Sequence, residues 1–414
     1  MKCMNRVVVT GMGVISPVGN TTDEFWKSLI NGRCGIDFIT KFDTTDYKVK
    51  IAAEVKDFDP HNWMDKSEIR KTDLFSQYAV AAASQAMADS GISGTVDPAR
   101  LGVYVGTGAA GMSTFVTECD KIANSGPRRV SPFFIPMMIA NMAAGNIAIK
   151  FNAQGPCLPV VSACATSTHE IGEAFRAIKH GYADAVIAGG AEATVNPLAI
   201  AGFTNCMALT TKNIPAEASI PFDKRRDGFV MGEGAGIIIL EEYEHAKARH
   251  AKIYAEITGY GNTCDAYHIT APHPEAIASS RAISLAMEES NLQGNEITYI
   301  NAHGTGTPLN DKSETIAIKK ALGKKAYEVS ISSTKSMTGH MLGAAGAVEA
   351  MASVLTLQQG IIPPTIGYLE KDEFCDLDYV PNVARKQNTD FALSVSLGFG
   401  GHNACIAFKK YNEE

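Results

Sequence analysis

Val160-Val161-Ser162-Ala163-Cys164-Ala165-Thr166-Ser167-Thr168-His169-Glu170 is where the chain changes character. Before it, the apolar run Leu158 to Val161 reads as a buried strand. From about Cys164 onward Ile171, Ala174, Phe175 and Ile178 fall at i, i+3, i+4 and i+7, one apolar face of a helix, and Gly181 ends it. Cys164 therefore sits where a strand turns into a helix. A thiol there feels the positive end of the helix dipole and the free N–H groups of the first turn, and both favour thiolate. The stretch alone leaves two readings open: a nucleophile, or one more small core residue.

Working outward, strands and helices alternate. Arg6–Thr10, Leu101–Thr107, Ala185–Gly190 and Ile237–Glu241 read as strands. Lys71–Ser90, Asn141–Phe151 and Tyr243–His250 read as helices, and Ser125–Pro136 as a long loop. The first strand runs into Gly11-Met12-Gly13, but Ser16 stands where a dinucleotide fingerprint needs its third glycine, and Pro17 interrupts the helix start. Past residue 251 the pattern repeats. Ala255–Gly261 resembles Val7–Gly13, and Ile297–Gly306 parallels Val103–Gly108. Ser330–Lys335 with the small-residue helix after it parallels the unit at Cys164. Phe391–Val395 with Ala404–Phe408 parallels Ala185–Gly190 with Gly232–Leu240. Four weak matches in one order indicate an internal duplication. We expect an α/β fold of two similar halves, 1–251 and 252–414, with equivalent loops facing one site.

Composition narrows the class. The chain has 414 residues, 45% hydrophobic and 20% charged, enough for a large core. A net charge of -7 argues against a general nucleic-acid binder. No apolar run reaches the length of a membrane span, and no targeting segment precedes Val7, so a cytoplasmic protein without membrane insertion is expected. Nine cysteines are scattered with no CxxC pair, and ten histidines form no HExxH cluster, which argues against structural zinc.

Three further stretches carry chemistry. Asn301-Ala302-His303-Gly304-Thr305-Gly306-Thr307 follows an apolar strand, so His303 lies at a strand end. Lys335-Ser336-Met337-Thr338-Gly339-His340 opens a helix of small residues that reads as buried. Gly398-Phe399-Gly400-Gly401-His402 is a flexible turn with one large aromatic. Each taken singly reads equally well as core or turn.

Together these stretches resemble one family, the β-ketoacyl-acyl carrier protein synthases, condensing enzymes of the thiolase superfamily. The resemblance runs from Val7 to Phe408, and its two histidines look like the elongating type, closest to synthase II. It implies a thiolase-like fold, a layered αβαβα arrangement of two duplicated halves. It implies decarboxylative condensation of an acyl chain, carried on Cys164, with malonyl-acyl carrier protein in fatty-acid elongation. A polyketide ketosynthase and a non-decarboxylative thiolase are the alternatives. In the residues this resemblance carries over, Cys164 is the nucleophile and His303 and His340 bind the enolate oxygen. Lys335 holds the catalytic geometry, paired with Glu314. The N–H groups of Cys164 and Phe399 form an oxyanion hole, and the Phe399 ring is a gate. Thr305 and Thr307 bind the phosphopantetheine arm of the carrier substrate. Ala109 lies where many relatives carry a larger aliphatic residue, at the acyl-pocket floor or the dimer boundary. Lys66, Arg70, Lys71, Arg128 and Arg129 form a basic docking patch for the acidic acyl carrier protein. No metal or cofactor is required, and a homodimer is expected, with residues 101–165 at its interface. Asn301, Glu349, Ser394 and Asn403 align with residues around an internal ion site in some relatives; a polar structural network is the other reading. His402 stands where relatives often carry threonine.

Overall fold

The computed structural model describes residues 4–294 and 296–412. The strands of its large sheet are β1 (Val7–Ile15), β2 (Leu101–Gly106), β3 (Ala185–Glu192), β4 (Gly234–Glu242), β5 (Ala255–Cys264), β6 (Ile297–Asn301), β7 (Ser330–Ser332), β8 (Phe391–Gly398) and β9 (His402–Lys410). They form one ladder in the order β2-β3-β4-β1-β5-β9-β8-β6-β7. Runs such as Val7-Val8-Val9 and Ile237-Ile238-Ile239 are buried throughout, as strands covered on both faces must be.

The ladder carries the duplication. β1 and β5 meet antiparallel at its centre, with Val8 opposite Glu256. Moving outward, β4, β3 and β2 on one side answer β9, β8 and β6 on the other. The outer pairs β2–β3 and β8–β6 are parallel and the inner ones antiparallel on both sides. Three of the four sequence matches fall on these equivalent strands; the fourth sets β7 against the segment before Cys164, which forms no strand.

The helices that matter here are α1 (Leu74–Ser90), α2 (Thr166–Lys179), α3 (Pro197–Asn205), α4 (Ile277–Glu289), α5 (Pro308–Leu322) and α6 (Ala345–Gln359). α2 and α6 lie inside, each touching strands of both halves. α6 is buried from Ala345 to Leu357, with apolar residues all round, as a core helix requires. The two helices are tied by the Ala347 N–H donating to Ser167 Oγ at 2.9 Å. α1 covers β1 and β4 from outside, and α4 covers β5 and β9, with α5 packed against it. The layers therefore run αβαβα.

Three expectations are corrected. Leu158–Val161 is not a buried strand: Leu158 and Val161 are 53% and 52% exposed, and the segment meets β2 through the Leu158 N–H to Val103 O, next to the Cys157–Val103 bridge. It runs along the free edge of β2, where Leu158 and Val161 face outward while Pro159 and Val160 are half-buried. The 125–136 loop contains a 3₁₀ turn at Pro127–Arg129 and a short helix at Phe134–Met138. Lys335–His340 does not open the small-residue helix. A separate turn of helix, Lys335–Thr338, ends at Gly339, whose φ of 64° breaks the path before α6 begins.

Candidate active site

The three chemical stretches and Cys164 converge although up to 235 residues separate Cys164 from Phe399 in the sequence. Cys164, His303, His340, Phe399, Thr305 and Thr307 line one cavity of about 360 Å³.

The turn that carries Cys164 is a 3₁₀ turn, Ala163–Ala165, leading directly into α2. Ala163 has φ 52°, left-handed for a residue with a side chain. Such a conformation costs about 1–3 kcal/mol and persists only where the surroundings enforce it. It lets the Cys164 side chain project into the cavity instead of along the helix. Gly398 lies against this turn, where an added Cβ would stand 2.6 Å from Ser162 O and 3.4 Å from Cys164 N. Only glycine allows the gate turn so close. That approach brings the Phe399 N–H to the Cys164 sulfur.

Cys164 itself departs from expectation. Burial pushes its thiol up to about 12, against the opposing pull of the Lys335 charge and the Phe399 N–H. Desolvation in the cavity outweighs the helix end, so the thiol is neutral in the substrate-free site.

The histidines face each other edge to face, with ring centroids 5.2 Å apart. Burial, then the Lys335 charge, holds both far below the usual imidazole range, so both are neutral. Lys335 Nζ lies 3.4 Å from His303 Nδ1. An ammonium only donates, so Nδ1 accepts and the His303 proton sits on Nε2. His340 is held through its backbone N–H to Val230 O at 2.7 Å, and its Nδ1 has no partner among the described residues.

The expected Lys335–Glu314 pair is not formed. Lys335 ion-pairs with Glu349, both 1% exposed. Glu314 instead accepts the backbone N–H groups of His303 at 2.6 Å and Gly304 at 2.8 Å. It fixes the loop that carries His303. Glu349 reaches Lys335 from α6, fourteen residues on, where no sequence pattern links the two.

Beyond the catalytic groups, Thr305 and Thr307 hydroxyls lie 3.0 Å apart on the cavity wall. Phe399 packs 6.4 Å from Phe203 of α3, which meets Phe229, which meets His340 edge-on at 5.0 Å. Phe203 and Phe229 carried no signal in the sequence, because their role is contact across segments. The gate turn is clasped by residues 265–269: Gly400 N–H donates to Ile269 O and Asp265 N–H to Gly401 O, both at 2.8 Å. Ala109 is not among the residues lining the cavity; its N–H donates to Glu192 at 3.2 Å, behind the Cys164 turn.

Lys66, Arg70, Lys71, Arg128 and Arg129 are all exposed. Lys71 Nζ lies 5.6 Å from the Phe133 ring, four residues after Arg129.

Asn301 Oδ1, Glu349 Oε2 and Ser394 Oγ are buried without partners among the described residues, and Asn301 and Ser394 are opposite each other in register. Asn403 Nδ2 donates to Asp265 Oδ1 at 2.9 Å and to Gly401 O at 3.2 Å.

The family model for the β-ketoacyl synthase N-terminal domain matches residues 4–246, and that for the C-terminal domain matches 254–369. The chain belongs to the β-ketoacyl synthase family. It is 51% identical over 408 residues to 3-oxoacyl-[acyl-carrier-protein] synthase 2 of Synechocystis sp., covering 98% of each chain. It is 49% identical over 411 residues to the Vibrio harveyi protein of the same name, covering 99% of each. Among solved structures, a β-ketoacyl synthase from Burkholderia phymatum superposes with a TM-score of 0.92 at 35% identity, covering 99% of this chain and 100% of that one. A type II polyketide ketosynthase solved with its acyl-carrier protein gives 0.92 at 34%, with the same coverage.

Proposed function

We propose that this β-ketoacyl synthase elongates acyl chains held on an acyl carrier protein. Cys164 Sγ attacks the acyl thioester, its carbonyl oxygen taking the N–H groups of Cys164 and Phe399. The acyl group moves to sulfur, and the thiol proton ends on the released pantetheine sulfur. Malonyl-carrier enters next, its pantetheine arm along Thr305 and Thr307. The bond to its carboxylate breaks, carbon dioxide leaves, and the electron pair forms an enolate. His303 Nε2–H donates to the enolate oxygen, with His340 as second donor. The enolate carbon bonds to the acyl carbon, the bond from that carbon to Cys164 Sγ breaks, the released thiolate takes a proton from water, and the 3-oxoacyl chain departs on its carrier two carbons longer.

The observation that carries this reading is the shared cavity: a nucleophile with an amide at its sulfur, beside two neutral imidazoles, one with its proton fixed on Nε2. About 50% identity to proteins named 3-oxoacyl-[acyl-carrier-protein] synthase 2, against 34% to the polyketide ketosynthase, favours elongation over polyketide assembly. No metal or organic cofactor enters any step. An ion among Asn301, Glu349 and Ser394 would supply only electrostatic support to the Lys335 cluster. We read the chain as two halves, 1–251 and 252–414. We also read it as a cytoplasmic homodimer, its interface including the exposed edge Leu158–Val161; no helix among the described residues is long and apolar enough to cross a membrane.

The test supplies acyl-carrier and malonyl-carrier to purified enzyme and follows carbon dioxide and product length. Release of carbon dioxide with a product two carbons longer is expected. No release from malonyl-carrier would reject the reading in favour of a thiolase.

The basic surface is the proposed carrier dock. Charge reversal at Arg128 and Arg129 should raise KM for acyl-carrier on the order of tenfold and leave an acyl-CoA substrate nearly unchanged. Equal effects on both substrates would remove the docking role.

A further inference from the structure

Among the buried titratable groups beside Cys164 to which the mechanism gives no task is His169. His169 lies on α2, five residues after Cys164, and is 3% exposed. Both ring nitrogens are engaged: Nδ1 with Ser162 Oγ at 2.6 Å, Nε2 with Asn262 Oδ1 of β5 at 3.1 Å. A carbonyl oxygen only accepts, so Nε2 carries the proton and Nδ1 accepts from the Ser162 hydroxyl. Burial holds the ring at about 4, so it stays neutral near pH 7 and is no base.

Ser162 immediately precedes the left-handed Ala163. Its N–H donates to Thr166 Oγ1 at 2.9 Å and its carbonyl accepts from Ala165 at 3.1 Å, both within the nucleophile turn. The hydroxyl bond to His169 ties this turn to the helix, and through Asn262 to the second half of the fold. The other face of the His169 ring meets His402 edge-on at 6.2 Å. A side chain at position 400 would meet that His402 ring at 3.2 Å, so His402 lies directly under the gate turn.

We propose that His169 is a positioning residue: through Ser162 it holds the strained Ala163–Cys164 turn so that the sulfur and the Cys164 N–H meet the acyl carbonyl. It touches neither substrate nor the enolate histidines. This makes its effect selective for one half-reaction, and the proposal rests on reading Cys164 as the acyl acceptor.

Two half-reactions are measured: uptake of an acyl group by Cys164 from acyl-carrier, and carbon dioxide release from malonyl-carrier. His169→Gln keeps a donor for Asn262 but loses the acceptor for Ser162. It should slow acyl uptake on the order of 10²-fold, the scale set by an ångström of misplacement. Decarboxylation should stay within about threefold. His169→Asn sets an amide oxygen near the place of Nδ1 and should recover most of the acyl transfer. Ser162→Ala deletes the same bond with little change in volume and should repeat the selective loss if the histidine variants fold poorly. Equal losses in both half-reactions, or native acyl uptake in both His169→Gln and Ser162→Ala, would overturn the proposal. Native enzyme that took up no acyl group would overturn the condensing reading, and this proposal with it.

Discussion

Cys164→Ala is expected to abolish acyl transfer and condensation, a loss on the order of 10⁴-fold or more, while malonyl-carrier is still decarboxylated. The asymmetry follows from where the groups are anchored. The sulfur is the only atom of the site that bonds to the acyl carbon. The enolate donors stand elsewhere: His303 on the loop held by Glu314, and His340 by its backbone on Val230. Alanine at 164 leaves the turn, its backbone N–H and the Phe399 amide in place, and removes one buried atom. That deletion costs about 1 kcal/mol of stability, too little to unfold the protein. With no acyl-Cys to attack, the enolate takes a proton and acetyl-carrier accumulates. The measurement is carbon dioxide and acetyl-carrier from malonyl-carrier, beside a condensation assay on the same preparation. If decarboxylation vanished with transfer, the two roles would not be divided between Cys164 and the histidines.

Much of this site could be read from the chain because its chemistry is concentrated in four short stretches, each at a strand end or turn. Cys164, His303, His340 and Phe399 stand out by neighbours: small residues that permit close approach, and apolar strands that aim side chains. The halves were visible for the same reason, since repeated strand–glycine units keep their order. What escaped reading depends on contact across the fold. Lys335 faces Glu349 rather than Glu314 because α6 passes behind it, and no spacing encodes that. Leu158–Val161 has the composition of a buried strand, but burial is decided by what lies beyond β2. Cys164 illustrates competing effects. The helix end argues for thiolate, but the desolvation that holds the thiol neutral depends on the depth of a cavity lined by residues more than a hundred positions away. His169 was part of the opening stretch and read as helix, since its partner Asn262 belongs to the other half.

The second large effect concerns Lys335, and it separates stability from chemistry. Lys335→Met removes the ammonium and keeps the length of the side chain. Glu349 is then a buried carboxylate without its partner, and breaking such a pair by removing one side costs about 3–5 kcal/mol. The loss depends on pH in a defined direction. With Lys335 present, burial already holds the Glu349 carboxyl up at about 7, and Lys335 is what pulls it down. Without it the carboxyl rises further, above its unfolded value near 4.3. A group raised on folding contributes stability below its unfolded pKa and loses it as pH rises through the folded one. The variant should therefore be closest to native stability near pH 5 and fall behind steadily between pH 6 and 9. Adding Glu349→Gln removes the stranded charge and should restore most of the stability, since neutral replacements of a buried ion pair are tolerated. It should not restore activity. His303 Nδ1 would still lack the donor that fixes its proton on Nε2, and the enolate oxygen would lose an oriented partner, on the order of 10²-fold in decarboxylation. Unfolding at pH 6 and 9, with decarboxylation measured in the single and double variants, reads both effects. Recovery of activity along with stability in the double variant would reduce Lys335 to a structural charge; recovery of stability alone would leave it the residue that sets the histidine's proton.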